Sequence, residues 1–227
     1  MPHAISKNTL KFLKELAENN NREWFNENKD LYLEAQENVL QFLEKLIEDI
    51  SEFDEEILKI SAKKALFRIY RDVRFSLDKS PYKNHFGAGL GFGKGGKTSG
   101  FYLHIEPGNS FIAGGVYMPE KELLKKIRTN VSENPDEFLK IINDKNFKKT
   151  FSDLSQEDKL KRIPQGFEKE NPMEDYLKLK SFVVRYSLKD KDLMETSGPE
   201  KIAEICKAIK PLNDFIEKSI NKNGEKM

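Results

Sequence analysis

The chain has 227 residues, and its 39 lysines and arginines nearly balance its 38 aspartates and glutamates. This length allows one domain with a sizeable core, and the near-neutral balance weakens the case for a protein that binds nucleic acid through its overall charge. The single cysteine, Cys206, excludes an intrachain disulfide, and the sequence has neither a signal-peptide stretch nor an apolar run of about 18 residues, so we expect a cytoplasmic protein with no membrane partner.

The first sixty residues have the apolar spacing of helices. Leucines mark a first helix around positions 10–16, and a longer helix carries apolar side chains at intervals of three and four: Leu31, Ala35, Val39, Phe42, Leu46 and Ile50. Three asparagines at 19–21 separate the two helices. Trp24 and Phe25 follow directly, and a large aromatic pair beside a helix break typically packs between the helices. We expect this pair to belong to the core.

The middle of the chain changes to the alternation of strands. Segment 66–75 places its apolar side chains on one face, which predicts a strand: Phe67, Ile69, Val73 and Phe75. Residues 100–117 predict a hairpin, whose second strand contains Gly114 and Gly115. Missing side chains there permit close approach by a ligand or by another strand. Residues 180–188 are rich in β-branched and aromatic side chains and predict one further strand.

The remaining sequence favours helices. Pro119 and Pro135 suit first helical turns, and Gly198-Pro199 opens a last helix that Pro211 should interrupt or kink. Strands grouped between runs of helices predict an α+β domain with a mainly antiparallel central sheet flanked by N-terminal and C-terminal helices. We expect one domain over residues 1–220, in which residues 1–60 are helical, residues 61–118 are strand-rich, and residues 119–220 are mostly helical with one further strand. Residues 221–227 should form a frayed tail.

The charges are sorted along the chain. Residues 1–60 carry 7 basic and 14 acidic side chains, a net of −7, whereas residues 61–97 carry 9 basic and 2 acidic side chains, a net of +7. The densest stretch, residues 68–86, combines three arginines, two lysines and a histidine with interleaved aromatic residues. Such a block can focus potential on an acidic ligand, or the acidic N-terminal helices can pack beside it and neutralise it.

Arg71 is the most informative residue of the basic run. Strand alternation would place it on the apolar face between Ile69 and Val73, where an unpaired guanidinium costs several kcal/mol. Three explanations are open at this point. Arg71 can pair with an acidic residue of the N-terminal helices, a bulge can return it to solvent, or it can clamp the carboxylate or phosphate of a ligand.

The string at residues 91–98 satisfies the G-x-x-x-x-G-K-[ST] pattern of phosphate-binding loops. That mechanism requires a helix to begin directly after the loop, whereas Ser99-Gly100 leads into an alternating strand. We therefore interpret the glycines as a flexible hairpin tip, in which Lys94 and Lys97 can cover a bound anion as a lid.

Two histidines are candidates for chemistry. His104 shares a predicted strand face with Tyr102 and Glu106, and His85 ends the basic run. A metal site would need both histidines with a carboxylate, and their spacing does not require one, so we predict no metal. Either histidine is suited to proton transfer, and structural hydrogen bonding is the alternative.

Three segments together resemble the DUF2461 family, a widespread domain of unknown function: residues 19–25, residues 71–83, and residues 113–115 with Pro119. In the second segment Val73, Leu77 and Ser80 fill the variable places of the string RDxRFSxDKxPYK. The resemblance covers most of the chain. It implies that residues 71–83 are the segment by which such proteins are recognised, and it supplies no activity, cofactor or catalytic residue.

Three hypotheses for function follow. The leading one is a basic pocket for a phosphate-bearing or carboxylate-bearing small molecule, lined by Arg71, Arg74, Lys79, Tyr82, Lys83, His85, Tyr102 and Arg128. If the protein is an enzyme, His85 or His104 would move a proton there. The second is a nucleic-acid-binding module with stacking aromatics: Phe75, Tyr82, Phe86 and Phe92. The third is a scaffold whose charges are satisfied internally. The sequence names neither the substrate nor a cofactor, a reaction or an oligomeric state.

Overall fold

The computed structural model describes residues 3–91 and 98–221, and its fold is α+β, as the sequence predicts. The described helices are α1 (Lys7–Glu18), α2 (Arg22–Glu27), α3 (Lys29–Ser51), a 3-10 helix (Glu55–Lys59), α4 (Ala62–Ala65), α5 (Lys121–Glu133), α6 (Pro135–Ile142), α7 (Lys145–Phe151), α8 (Glu174–Leu177), α9 (Asp190–Met194) and α10 (Gly198–Asn221). The described strands are β1 (Phe86–Leu90), β2 (Gly100–Ile105), β3 (Phe111–Val116) and β4 (Phe182–Ser187).

The four strands form one antiparallel sheet in the order β1-β2-β3-β4, so neighbours in sequence are neighbours in the sheet. The hairpin predicted over residues 100–117 is β2 and β3, and its turn is closed by a hydrogen bond from the Asn109 amide to the Glu106 carbonyl of 2.9 Å. The strand predicted within 180–188 is β4. Both predictions are confirmed.

The strand predicted over residues 66–75 is wrong as a continuous strand, because this segment contains only two isolated bridges. Isolated bridges join Leu66 to Ala88 and Tyr70 to Tyr82, so the extended residues 66–71 run antiparallel to residues 81–88. Beyond Arg71 the chain leaves this pairing and forms a loop, because side-chain hydrogen bonds within the loop replace ladder bonds. Strand β1, which the sequence did not predict, alternates glycine with apolar residues and so lacks the usual strand composition.

The described chain divides into two compact units. The first unit comprises Met1–Gly91, Tyr102–Ile112 and Ser187–Glu204. Its core includes the buried apolar faces of α1 and α3, and Asn38 of α3 fixes the start of α1: its Oδ1 accepts from the Ser6 amide at 2.8 Å and from the Thr9 hydroxyl at 2.7 Å. Phe25 is buried and Trp24 stacks on Phe12 with ring centroids 6.1 Å apart, so the aromatic pair packs beside the helices.

The second unit comprises Phe92–Phe101, Ala113–Tyr186 and Ile205–Met227. Its core contains Phe138, Phe182 and Phe215, which are all buried. Helix α10 continues through Pro211, so this proline does not interrupt the helix, and a kink there stays a prediction. Buried Asn213 of α10 donates to the Gly100 carbonyl at 3.2 Å and so ties this helix to the start of β2.

Some predictions fall outside the described residues. They are the hairpin tip in the glycine string, the lid of Lys94 and Lys97, and the tail beyond Asn221. In the described stretches of the chain, no helix combines the length and the apolar composition that crossing a bilayer requires.

Gly115 shows why the paired glycines of β3 are needed. Its φ is +106°, and a Cβ there would overlap the Phe182 carbonyl oxygen of β4, so the close approach is by another strand. We predict that Gly115→Ala lowers the free energy of unfolding by more than about 3 kcal/mol. Gly108→Ala is the matched control: its φ is +75° with nothing within 4 Å of the added Cβ, so it should cost roughly 1–2 kcal/mol. Urea denaturation measures both, and equal losses would contradict the overlap.

Candidate functional site

The basic motif folds into a loop over residues 71–81, here called the motif loop. The Arg71 guanidinium forms an ion pair with Asp78, and its Nη1 also donates to the Ser80 carbonyl at 3.2 Å. Its Nη2 donates to the Ser76 hydroxyl at 3.4 Å. The Arg71 amide donates to the Pro81 carbonyl at 2.9 Å, so this residue joins the two ends of the loop.

The environment of Arg71 differs from the one that strand alternation predicts. Its side chain is 27% exposed instead of facing an apolar layer, and its acidic partner comes from its own loop instead of the N-terminal helices. The physical reason is the loop itself, since the chain turns back within ten residues and brings Asp78 against the guanidinium.

The other charges of the motif loop are also engaged within it. Asp78 Oδ1 accepts from the Ser80 hydroxyl at 2.6 Å and from the Ser80 amide at 2.9 Å, and these bonds, with the Arg71 pair, lower the pKa of Asp78 to about 2. Arg74 makes a two-pronged contact to Asp72, at 2.9 Å from Nε and 2.6 Å from Nη2, which lowers the pKa of that carboxyl. The Lys79 ammonium donates to the Val73 carbonyl at 3.0 Å.

Tyr82 anchors the end of the motif loop. It is 4% exposed, and its ring stacks on Phe25 with centroids 3.9 Å apart. The Asn20 side chain accepts from the Tyr82 amide at 3.1 Å and donates to the Tyr82 carbonyl at 2.9 Å. The residues at this anchor are therefore structural partners of one another, and the asparagine that sequence analysis placed at a helix break holds the loop.

A second polar group lies on β2 and directly after it, and we name it the Tyr-His-Glu chain: Tyr102, His104 and Glu106. The phenol oxygen of Tyr102 lies 3.1 Å from His104 Nδ1, and His104 Nε2 lies 3.0 Å from Glu106 Oε2. Since a carboxylate only accepts, the Nε2 atom carries a proton, and in the neutral imidazole Nδ1 then accepts from the phenol. The chain is therefore directed from phenol to carboxylate.

Glu106 is fixed by two amides as well as by His104. Its Oε1 accepts from Asn84 at 2.7 Å and its Oε2 accepts from Asn109 at 2.7 Å. Burial raises the pKa of Glu106, but the hydrogen bonds from His104 and Asn109 outweigh burial and lower it. A carboxylate held in its ionised form keeps the imidazole of His104 in one tautomer and orientation.

The position of Tyr102 depends on a glycine in the neighbouring strand. A Cβ added to Gly87 of β1 would lie 2.7 Å from the Tyr102 hydroxyl, so the phenol lies directly over this glycine. The ring also stacks on Phe67, with centroids 6.1 Å apart. Burial, and then Glu106, raise the pKa of Tyr102, so the phenol remains protonated and able to donate.

His85 and Lys83 lie beside the Tyr-His-Glu chain. The imidazole rings of His85 and His104 are 4.1 Å apart between centroids. Burial lowers the pKa of His85 to about 4, with His104 and Lys83 acting in the same direction and Glu106 opposing them, so His85 is neutral at pH 7. The pKa of Lys83 is lowered by burial and by Arg68, whose carbonyl accepts from its ammonium at 2.9 Å.

The structure thus brings some predicted site residues together and places others elsewhere. Lys83, His85, Tyr102 and His104 meet in the first unit, whereas Arg128 lies in the second unit. Arg128 is 8% exposed, its Nη2 donates to the Leu179 carbonyl at 2.7 Å, and burial lowers its pKa. Across residues 3–91 and 98–221, no group of three or more histidine, cysteine, aspartate or glutamate side chains is arranged to hold a metal ion.

Sequence reasoning missed three contributors to this site, and Glu106 is the first of them. Asn84 and Gly87 were not proposed as site residues, although one binds Glu106 and the other accommodates Tyr102. The available signal for Glu106 was its position two residues after His104 on the same face. No local pattern marks Gly87, because its role is set by a side chain of the next strand.

Residues 8–215 match the family described as "Conserved hypothetical protein (DUF2461)". The chain belongs to the DUF2461 family. The matched range contains both the motif loop and the Tyr-His-Glu chain, and the family resemblance noted in the sequence is confirmed. No curated protein and no solved structure matches the chain.

The Arg71–Asp78 pair should control the order of the motif loop. We predict that Asp78→Ala speeds hydrogen exchange of the Arg71 and Ser80 amides by at least about tenfold, because both ends of the loop lose a partner. Asp72→Ala is the matched control, since Asp72 lies in the same loop and contacts Arg74 alone among the bonds given above. Equal protection of these amides in the wild type and Asp78→Ala proteins would contradict this role.

His85 should make stability depend on pH. Its pKa is about 4 in the folded protein against an ordinary value of 6.5, so the unfolded chain binds more protons between these values. The free energy of unfolding should therefore fall as pH falls from 6.5 toward 4, and His85→Gln should flatten this slope. Urea denaturation across this range and NMR titration of the His85 ring measure the effect. Exposed His3 provides the control substitution, His3→Gln, and a normal titration of His85 would refute the prediction.

Proposed function

We propose that this DUF2461 protein binds a small phosphate-bearing or carboxylate-bearing molecule beside Lys83 and His85, and that the Tyr-His-Glu chain moves a proton to or from it. One observation carries the proposal. A neutral histidine packs at 4.1 Å on the central imidazole of a directed phenol–imidazole–carboxylate chain, next to a lysine. Perturbed titratable groups arranged in this way are typical of functional sites.

The charges around Lys83 support an anionic ligand. Among the described residues, neither Arg68 nor Lys83 forms an ion pair with a carboxylate, whereas Arg71 and Arg74 do. Lys83 instead donates to a backbone carbonyl and lies 5.8 Å from the Phe67 ring centroid. Arg68 and Lys83 repel each other, which contributes to the lowered pKa of Lys83. An anion would relieve this repulsion, and it would also favour protonation of His85.

The Tyr-His-Glu chain supports a proton-transfer role. Glu106 holds the imidazole so that Nδ1 accepts from the phenol, and a base oriented by a third group is the arrangement used for general acid and base catalysis. Tyr102 can take a proton from the ligand as it releases its own to His104, and the reverse movement returns it. The reaction class that fits is proton transfer at a group next to the bound anion.

The other hypotheses from the sequence are weaker on the observed geometry. Of the aromatics expected to stack on nucleic acid, Tyr82 and Phe86 are buried, Phe75 is exposed, and Phe92 lies outside the described residues. A scaffold role accounts for the paired charges of the motif loop but not for Lys83 beside His85. The proposal includes a cytoplasmic location, which rests on the single, buried and reduced Cys206.

Sulfate is the appropriate probe, because it keeps its double charge between pH 7 and pH 4 while phosphate does not. We predict that Lys83→Gln weakens sulfate binding by at least about tenfold in calorimetry, and that Lys79→Gln, which removes an equal charge from the motif loop, changes it by less than about threefold. Unchanged affinity in Lys83→Gln, or an equal loss in Lys79→Gln, would refute the proposed site.

The same titration reports on His85. Because a bound anion raises the pKa of His85 from about 4, binding should take up a proton and the affinity should rise as pH falls from 6.5. His85→Gln should abolish the proton uptake, which is measured from binding heats in buffers of different ionisation enthalpy. Binding that is detected only with long nucleic acids, and that falls steeply with salt, would favour the nucleic-acid hypothesis instead.

A further inference from the structure

The tip of the motif loop exposes two apolar side chains. Phe75 is 96% exposed and Leu77 is fully exposed, and they lie two residues apart between Arg74 and Lys79. The charged side chains of the loop bond to one another or, for Lys79, to the Val73 carbonyl, and these bonds brace the loop that exposes the two apolar side chains. A single exposed apolar residue needs no explanation, but an exposed pair on a braced loop is typical of an interaction site.

The same unit contains a groove with complementary properties. A cavity of about 290 Å³ lies between α1 and α3. Its lining includes Leu31, the buried side chains of Phe12 and Ala35, Glu34, and the ion pair of Lys11 with Glu15 at 3.6 Å. Leu31 remains 42% exposed in this groove, so an apolar guest would cover surface that now faces solvent.

We propose that the tip of the motif loop of one copy of this chain docks in the groove between α1 and α3 of a second copy. The match is in apolar character and charge. The exposed pair beside Lys79 meets Leu31 beside Glu34, whereas the charges of Arg74 and Glu15 are already engaged by Asp72 and Lys11. The sorting of charge points the same way, because residues 68–83 carry five basic and two acidic side chains, a net of +3, against −7 for residues 1–60.

The proposed contact is heterologous, because the loop and the groove are different surfaces. Two such contacts made reciprocally close a twofold dimer, and a one-way contact extends into a larger assembly. The inference does not depend on the proposed ligand site, since neither Lys83 nor His85 takes part in it.

Disulfide trapping tests the contact directly. Leu77→Cys places a thiol on the loop tip and Leu31→Cys places one in the groove, while Cys206 is buried and does not compete. Mixing the two single variants under mild oxidation should give a disulfide-linked heterodimer. Leu58→Cys is the matched control, because Leu58 is an exposed leucine of the same unit (62%) outside the groove, and it should not crosslink to Leu77→Cys above background. Equal crosslinking to positions 31 and 58 would overturn the proposal.

The mass of the protein in solution is the second test of the proposed contact. Light scattering coupled to size exclusion should show a species of at least twice the monomer mass for the wild type. The double variant Phe75→Asp with Leu77→Asp should be a monomer. Both side chains are too exposed for these substitutions to affect folding. Glu34→Lys should weaken association by at least about tenfold. A wild type that stays monomeric at all concentrations overturns the inference. So does a monomer that sediments with anionic phospholipid vesicles through Phe75, which would assign the loop tip to a lipid surface.

Discussion

The ion pair between Arg71 and Asp78 is the interaction on which the arrangement of the first unit depends. It closes a loop that has no ladder bonds of its own, and the Arg71 amide continues the closure through the Pro81 carbonyl. The chain that leaves the loop passes through buried Tyr82 and reaches β1 with Lys83 and His85 beside the sheet. The charged motif therefore has a structural role. In a partly exposed loop, an arginine that bonds to acceptors of the loop stabilises the fold more than an isolated surface charge does.

The sheet supplies the second constraint. Three polar residues on one face of β2 and its end would be unfavourable against an apolar layer, and the structure satisfies them in a line from Tyr102 to Glu106. The line needs space over the neighbouring strand, which Gly87 provides by having no side chain. Gly87 of β1 is thus the counterpart of the large side chain of Tyr102 in β2. Strand β1 contains a residue of low strand propensity, and this leaves space for the polar side chains of β2.

Features set by local sequence could be predicted, whereas features set by contacts between distant residues could not. The β2–β3 hairpin and β4 followed from alternation, since each has the usual strand composition. Strand β1 could not be predicted in this way, because the reason for its Gly87 is the ring of Tyr102. The alternation of 66–75 was misleading beyond Arg71, because a side-chain bond between residues 71 and 78 competes with the ladder and leaves no trace in the hydrophobic pattern. Lys83, His85, Tyr102 and His104 were nominated from the sequence, and the structure brings them together.

Composition alone could not separate two kinds of cation in the basic run. Arg71 and Arg74 are each matched by an aspartate within the motif, so they contribute little net potential at a distance. Arg68 and Lys83 form no ion pair with a carboxylate among the described residues, and Lys83 lies near a histidine that burial keeps neutral. Because the net charge of +7 counted over residues 61–97 includes both kinds, the count locates the region but not the site. An anion would act most on Lys83, because Arg68 is already attracted by Asp72, whereas Lys83 is repelled by Arg68 and donates only to a backbone carbonyl.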